Sequence, residues 1–270
     1  MICTVLGARG FIGRQVAAVL HTQGFSPYCP DKVEDIGGRS LGIVFYCIGL
    51  TADFRERPLD AVEAHVCLLN RLLREANFDR LIYLSSTRVY AGLCGLVSED
   101  ADLIVNPNDI SDLYNLSKLM GESACLHSGR DAVAARLSNV VGTDFDSGNF
   151  LFDLIREACD CGVIRLRSAA ESVKDYILVS DAVNALVALS MHPHPKPIYN
   201  VASGRNLSNT DICEAIAEAA DCRWEVLDGA PLLEFPRIDI SRSRQELGLI
   251  PVDVLGQLEN LVYQYRTRKV

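Results

Sequence analysis

Apolar residues along this chain fall into short unbroken runs, separated by stretches in which they recur every three or four positions. Residues 2–6 form a run of the kind that is buried on both faces of a sheet. From Phe11 the period changes, with Phe11, Ile12, Val16 and Leu20 at helical spacing and Gly24 as a stop. Further runs at 41–49, 81–84 and 132–137 predict more buried strands. Between them Pro58 opens a predicted helix that carries Val62, Val66, Leu69 and Leu73 on one face. Another is capped by Ser111 or Asp112, turns Leu113, Leu116, Met120 and Ala124 inward and stops at Gly129. The stretch 25–31 holds two prolines, which predicts a short strand or one at an edge. Only ten residues then separate Asp31 from Leu41, too few for the extra helix and strand of a full doubly wound half. Beyond residue 142, helices are predicted over 150–161, 181–190, 209–220 and 254–265, with Ser208 and Asp211 as a capping pair. Strands are predicted over 163–166, 176–179, 198–201 and 223–226. The pattern gives an α/β fold: a doubly wound parallel sheet with a smaller C-terminal α/β lobe. Residues 1–140 read as the first domain and 141–270 mainly as the lobe, with segments near 176–203 returning to the main sheet.

The join between the first run and the first helix reads Gly7-Ala8-Arg9-Gly10-Phe11-Ile12-Gly13. Gly7 permits a tight turn. Gly10 permits backbone to approach a pyrophosphate, and Gly13 lets the helix pack closely on the sheet. The N–H groups that open the helix, from Phe11 and Ile12 onward, then face the phosphates. Among 19 glycines such spacing alone is a weak signal. Its place between a strand and a helix makes it a strong one. Asp31 lies 18 residues past Gly13, a spacing at which a carboxylate accepts hydrogen bonds from the adenosine ribose and selects NAD. Arg9 and Lys32 are also placed to hold a 2′-phosphate, so NADP remains open.

Composition narrows the function classes. A net charge of −9 with no basic stripe argues against nucleic acid and against an anionic membrane surface. The longest apolar run is about half a membrane span. The chain begins directly with a strand, so no leader peptide is expected. Ten scattered cysteines without a CxxC, several of them (Cys3, Cys47, Cys67) in apolar runs, read as reduced core thiols of a cytoplasmic protein. The histidines lack ligand spacing, and no metal is expected.

A second constellation follows the strand that ends in Ser85-Ser86-Thr87-Arg88. Tyr114 and Lys118 are four apart on the next helix and so share a face. A free phenol titrates near ~10, too high for proton transfer at neutral pH. An ammonium one turn away, and a positive nicotinamide ring, would favour the phenolate. Ser86 supplies a hydroxyl to orient a substrate oxygen.

These residues, in this order, resemble the extended short-chain dehydrogenase/reductase family, in particular its NAD-dependent epimerase/dehydratase group, which includes UDP-glucose 4-epimerase. The resemblance rests on residues 7–13, 84–90, Tyr114 to Lys118 with Glu122, 136–142, Lys174-Asp175-Tyr176-Ile177, 199–204 and 239–248. It implies a Rossmann-type NAD(P)-binding domain over residues 1–140, a tightly held NAD or NADP, and a nucleotide-sugar substrate under a C-terminal substrate-binding lobe. Catalytic roles fall on Ser86, Tyr114 and Lys118. Cofactor contacts fall on Gly7, Arg9, Gly10, Phe11, Ile12, Gly13, Asp31, Lys32, Gly49, Tyr114 and Lys118. Substrate contacts fall on Ser86, Thr87, Asn139 and Arg237. A homodimer and a place in cell-surface polysaccharide or deoxysugar synthesis are further expectations.

The chain also departs from the group. Thr87-Arg88 stand where its dehydratases carry Asp-Glu, which removes the acid and base for water elimination. His65 replaces the usual Asn, and Val141 the usual Tyr. The stretch 235–239 is a shortened remnant of the Arg-Pro-x-Asp segment that often holds the diphosphate. The expected activity is epimerisation or one-way reduction of a nucleotide sugar by hydride transfer. The alternative is a non-catalytic dinucleotide sensor on the same fold.

Overall fold

In the computed structural model, which describes residues 2–32, 38–50 and 54–268, the strands in chain order begin with β1 (Cys3–Leu6), β2 (Ile43–Tyr46) and β3 (Arg80–Ser86). They continue with β4 (Leu96–Val97), β5 (Ala132–Leu137), β6 (Asn139–Val141), β7 (Val163–Leu166), β8 (Val173–Leu178) and β9 (Ile198–Val201). The last three are β10 (Asn206–Ser208), β11 (Arg223–Val226) and β12 (Arg237–Ile238). The α-helices are α1 (Phe11–Thr22), α2 (Pro58–Val62), α3 (Leu68–Glu75), α4 (Ile110–His127), α5 (Phe150–Arg156), α6 (Val179–Met191), α7 (Asn209–Ala220), α8 (Ser241–Leu247) and α9 (Leu258–Thr267).

The central sheet has five parallel strands in the order β1-β2-β3-β5-β9. Every residue of β1, β2 and β5 is buried, because helices cover both faces. On one face Val16 and Leu20 of α1 meet Ala182, Val183 and Leu186 of α6. On the other, Leu69, Leu72 and Leu73 of α3 and Cys125 of α4 pack on Tyr46 and Tyr83. The segment at 25–31 contributes a single bridge, Tyr28 to Thr4, at the β1 edge, as its prolines require. β9 returns to the main sheet beside β5, whereas β6, β8 and β10 form a separate small sheet. The second core, with Phe152, Ile155, Ile164, Tyr176, Ile212, Ile216, Val262 and Tyr265, lies in the C-terminal lobe.

Two helices depart from their apolar pattern. The one opened by Pro58 does not run regularly through Val62 and Val66. It widens into a π-turn over Glu63–Cys67, so that Ala64 and His65 are buried and Cys67 is exposed. Tyr46 and Tyr83 stand side by side on β2 and β3, and their hydroxyls donate to the Ala64 and His65 carbonyls at 2.5 and 3.3 Å. In α4 the cap is Asp109 rather than Ser111 or Asp112, with its carboxylate accepting from Ser111 N at 2.8 Å. Its buried face is polar: Tyr114, Asn115, Ser117, Lys118 and Glu122, with Gly121 and Cys125. Met120, expected inward, is 58% exposed. The thiols also spread beyond the core. All ten cysteines are free, with Cys3, Cys125 and Cys213 buried and Cys29, Cys67, Cys94 and Cys161 exposed.

Candidate active site

The glycine loop behaves as its spacing predicts. Gly7 has φ +80°, a conformation open to glycine at little cost. A Cβ on Gly13 would stand 2.2 Å from the Gly7 carbonyl oxygen, so α1 can approach the loop only with glycine there. A Cβ on Gly10 would meet only the Gly7 oxygen, at 3.3 Å, and otherwise open space. Phe11, Ile12 and Gly13 occupy the first turn of α1, where N–H groups have no helical partner. The Phe11 side chain turns away, edge-on to Phe152 in the lobe at 6.1 Å. A cavity of about 310 Å³ opens over this loop, lined by Gly7, Arg9, Asp31, Lys32, Ile48 and Leu68. At its mouth Arg9 and Asp31, both exposed, lie 3.6 Å apart. Loop, open backbone and cavity fit the pyrophosphate and adenosine of a dinucleotide.

At the C-terminal end of β3 a second group assembles. Ser86 is half-buried, and its hydroxyl lies close enough to favour the Tyr114 phenolate and accepts from Arg88 N at 3.2 Å. Tyr114 is 7% exposed, its ring 4.7 Å from Phe54 and edge-on to His65 at 5.3 Å. Lys118 is buried and donates to the Leu84 carbonyl at 2.8 Å. Burial pushes the Tyr114 phenol up, and the Ser86 hydrogen bond and the Arg88 charge pull it back. Arg88 thus adds a second cation beside the phenol to that of Lys118, whose ammonium lies 5.8 Å from the centre of the Tyr114 ring. Burial pushes the Lys118 ammonium down to about 7, with Glu122 and Cys47 opposing.

His65, where the group carries Asn, joins this cluster through the π-turn. Ser117 Oγ donates to the Tyr114 carbonyl at 2.8 Å, so it accepts from His65 Nδ1, also at 2.8 Å. Nε2 is then the bare acceptor and faces the Leu50 N–H at 3.4 Å. Burial, and then the Lys118 charge, push the imidazole down to about 2, so it stays neutral. Gly49 fits beside this ring: a Cβ there would lie 3.0 Å from His65 Nε2 and 3.4 Å from Lys118 Nζ.

Sequence reasoning matched Glu122, Arg136, Asp175 and Ser203 without assigning them roles, and the fold supplies these. Arg136 of β5 and Glu122 of α4 form a buried pair at 2.7 Å, and Ser85 of β3 donates to Glu122 at 2.5 Å. This clamp fixes α4, and so Tyr114 and Lys118, against the sheet. Removing one partner strands a buried charge, at about 3–5 kcal/mol. Asp175 accepts from Ser203 N and Oγ, both at 2.9 Å, and from Gly204 N at 2.7 Å, joining two motifs distant in sequence.

The remaining expected residues fall as follows. Thr87 is buried in the 3₁₀ turn after β3. The Asn139 amide donates to the Asp175 carbonyl at 2.7 Å. Arg237 lies exposed on β12, which pairs with β4, and its guanidinium makes no hydrogen bond or ion pair among the described residues.

A parallel sheet with a glycine loop at β1 and a Ser, Tyr and Lys group at β3 and α4 has the architecture of the extended short-chain dehydrogenase/reductases. Residues 29–202 match the NAD dependent epimerase/dehydratase family, and the chain belongs to that family. It is 24% identical over 261 residues to a GDP-6-deoxy-D-mannose reductase of Pseudomonas aeruginosa, covering 83% of this chain and 81% of that protein. Its fold matches MoeE5, solved in complex with UDP-glucuronic acid and NAD, with a TM-score of 0.86 at 20% identity over 100% of both chains. It also matches RMD from Pseudomonas aeruginosa, solved with NADPH, with a TM-score of 0.78 at 20% identity over 99% of this chain and 98% of that one.

Proposed function

We propose that this chain is an NAD(P)-dependent epimerase or reductase that acts on a nucleotide sugar by hydride transfer at a sugar carbon. The observation that carries the reading is the meeting of Ser86, Tyr114 and Lys118 at the end of β3, in the same sheet whose β1 carries the glycine loop. The relatives support it: the Pseudomonas protein is named a deoxysugar reductase, and the matched structures hold NAD or NADPH. When bound, the nicotinamide accepts or supplies the hydride. Gly7, Gly10, Phe11, Ile12 and Gly13 cradle its pyrophosphate, and Arg9, Asp31, Lys32 and Gly49 line the rest of its site. Tyr114 removes a proton from the sugar hydroxyl, or returns one to a keto oxygen, while Ser86 orients that oxygen. Thr87, Asn139 and Arg237 belong to the substrate side. A cytoplasmic location, a place in polysaccharide or deoxysugar synthesis, and a homodimer are part of this reading. The apolar residues Ile110 and Met120, exposed on α4, support the dimer. The separate core of the lobe supports a functional division at about residue 140, with later segments returning to the main core.

The test is incubation of the protein with NAD, NADH and a panel of UDP-, GDP- and dTDP-hexoses, read by mass spectrometry. Isomerised or reduced sugar nucleotides are expected. A product lighter by one water is not, because Thr87 and Arg88 supply no carboxylate pair for elimination. A 4-keto-6-deoxy product would overturn the reading.

NAD is the expected partner over NADP. The Asp31 carboxylate at the mouth of the cavity repels a 2′-phosphate and partners Arg9, which would otherwise bind one. Calorimetry should give NAD an advantage of roughly tenfold or more, about 1.4 kcal/mol. Asp31→Ala should close most of that gap. Tighter NADP binding by the unaltered protein would transfer the role to Arg9 and Lys32.

A further inference from the structure

Two arginines flank the aromatic ring that packs on Tyr114, and a lysine stands within reach of their charge. Arg88, in the turn after β3, holds its guanidinium carbon 5.2 Å from the centre of the Phe54 ring. Arg55 holds its own 4.6 Å from the same ring, and that ring is 4.7 Å from Tyr114. The Arg88 Nε is shielded from solvent and has no hydrogen-bond acceptor. Arg55 donates to the Ser111 hydroxyl at 3.2 Å. Lys174 enters from β8 in the lobe, its ammonium 5.1 Å from the Phe150 ring. Neither Arg88 nor Lys174 forms an ion pair among the described residues. Burial, and then repulsion by Arg88 and Arg55, push Lys174 down, so its charge feels theirs.

The carboxylates nearest Arg88 are engaged elsewhere. Asp112 accepts from Asn115 Nδ2 and Asn106 N, each at 2.7 Å, and Asp109 caps α4. In a chain of net charge −9, an uncompensated cluster of this kind is a built site for an anion. A buried guanidinium nitrogen without an acceptor calls for one from a ligand. The planar fork of arginine fits a carboxylate in two parallel hydrogen bonds. The diphosphate of a nucleotide sugar hangs from the anomeric carbon and leaves the sugar ring between itself and the far end of the sugar. Arg88, two residues after Ser86 and close enough to act on the Tyr114 phenol, faces the reacting part of the ring.

We propose that the sugar itself carries a carboxylate, paired with Arg88 beside the reacting carbon, so that the substrate is a nucleoside-diphosphate uronic acid. Arg55 and Lys174 add to the positive field, and Lys174, on the lobe side, is left for the diphosphate. The proposal rests on the nucleotide-sugar reading above and narrows it.

The test is calorimetric titration of the NAD-loaded protein with two matched pairs, UDP-glucuronate against UDP-glucose and GDP-mannuronate against GDP-mannose. In any pair that binds, the acid should bind about tenfold tighter or more. In Arg88→Gln that preference should vanish, with NAD affinity and melting temperature retained. Arg88→Lys should restore part of it, since the charge returns without the fork. Equal affinity for acid and neutral sugar in the unaltered protein, or an equal loss for both in Arg88→Gln, would overturn the proposal and leave the nucleotide-sugar reading standing. Binding of none of the four, with NAD still bound, would overturn both.

Discussion

Tyr114→Phe should lower kcat by about 10²–10⁴-fold, the range for loss of general acid–base catalysis, with NAD affinity nearly unchanged. The ring keeps its packing on Phe54 and His65, and only the hydroxyl beside Ser86 disappears. The melting temperature should therefore stay close to that of the unaltered protein. A stable, NAD-binding Tyr114→Phe protein with kcat within a few-fold would rule out the mechanism. Lys118→Met supplies a second arm in which activity and stability move in opposite directions. Burial holds the Lys118 ammonium at about 7 against 10.5 in the unfolded chain. Between those values the unfolded chain binds the extra proton, so stability rises with pH across that window. The cost of burying the charge is largest below pH 7. Lys118→Met should then lose turnover and shift its onset to higher pH. It should also melt above the unaltered protein at pH 6, with the gap narrowing towards pH 9. A lower melting temperature at pH 6 would mean that the Leu84 hydrogen bond outweighs the buried charge.

Gly10→Val should reduce NAD affinity by more than about 100-fold, roughly 2.7 kcal/mol, and abolish every activity with it. Gly10 sits at φ −75° and ψ 167°, extended backbone that valine adopts without strain. An added Cβ meets little of the protein itself, so the fold should survive while the approach to the pyrophosphate is filled. Gly13→Ala is the contrasting control. Its Cβ would collide with the Gly7 carbonyl, so the loss should register in melting temperature before binding is tested. A folded Gly10→Val protein with undiminished NAD affinity would remove the glycine loop from the site.

Much of the architecture was legible in the residues. Parallel strands covered on both faces are nearly continuous apolar runs, so β1, β5 and β9 show as such despite the buried Thr4, Arg136 and Asn200 within them. The short strands β7 and β11 fall where the sequence places them, although β11 is mostly exposed, and the Ser208 and Asp211 capping box closes as the spacing requires. The glycine loop is legible because it is local: turn, helix start and close approach involve only a few consecutive residues. Ser86, Tyr114 and Lys118 could be singled out for the same reason.

What lay outside the sequence was decided across the fold. Periodicity assumes that buried means apolar, and α4 breaks that assumption. Its inward face carries Tyr114, Lys118 and Glu122 because Ser86, Leu84 and Arg136 wait there to bond them, while Met120 is left to solvent. The π-turn that buries His65 has no periodic signature. Two tyrosine hydroxyls, fixed in register on neighbouring strands, accompany it by bonding its carbonyls. Strands as short as β4 and β12 exist only because each finds the other. The charge that acts on Tyr114 follows the same rule. Lys118, its neighbour along the helix, stands 5.8 Å from its ring, and Arg88 from the β3 turn joins it, because electrostatics follows distance in space and not order along the chain.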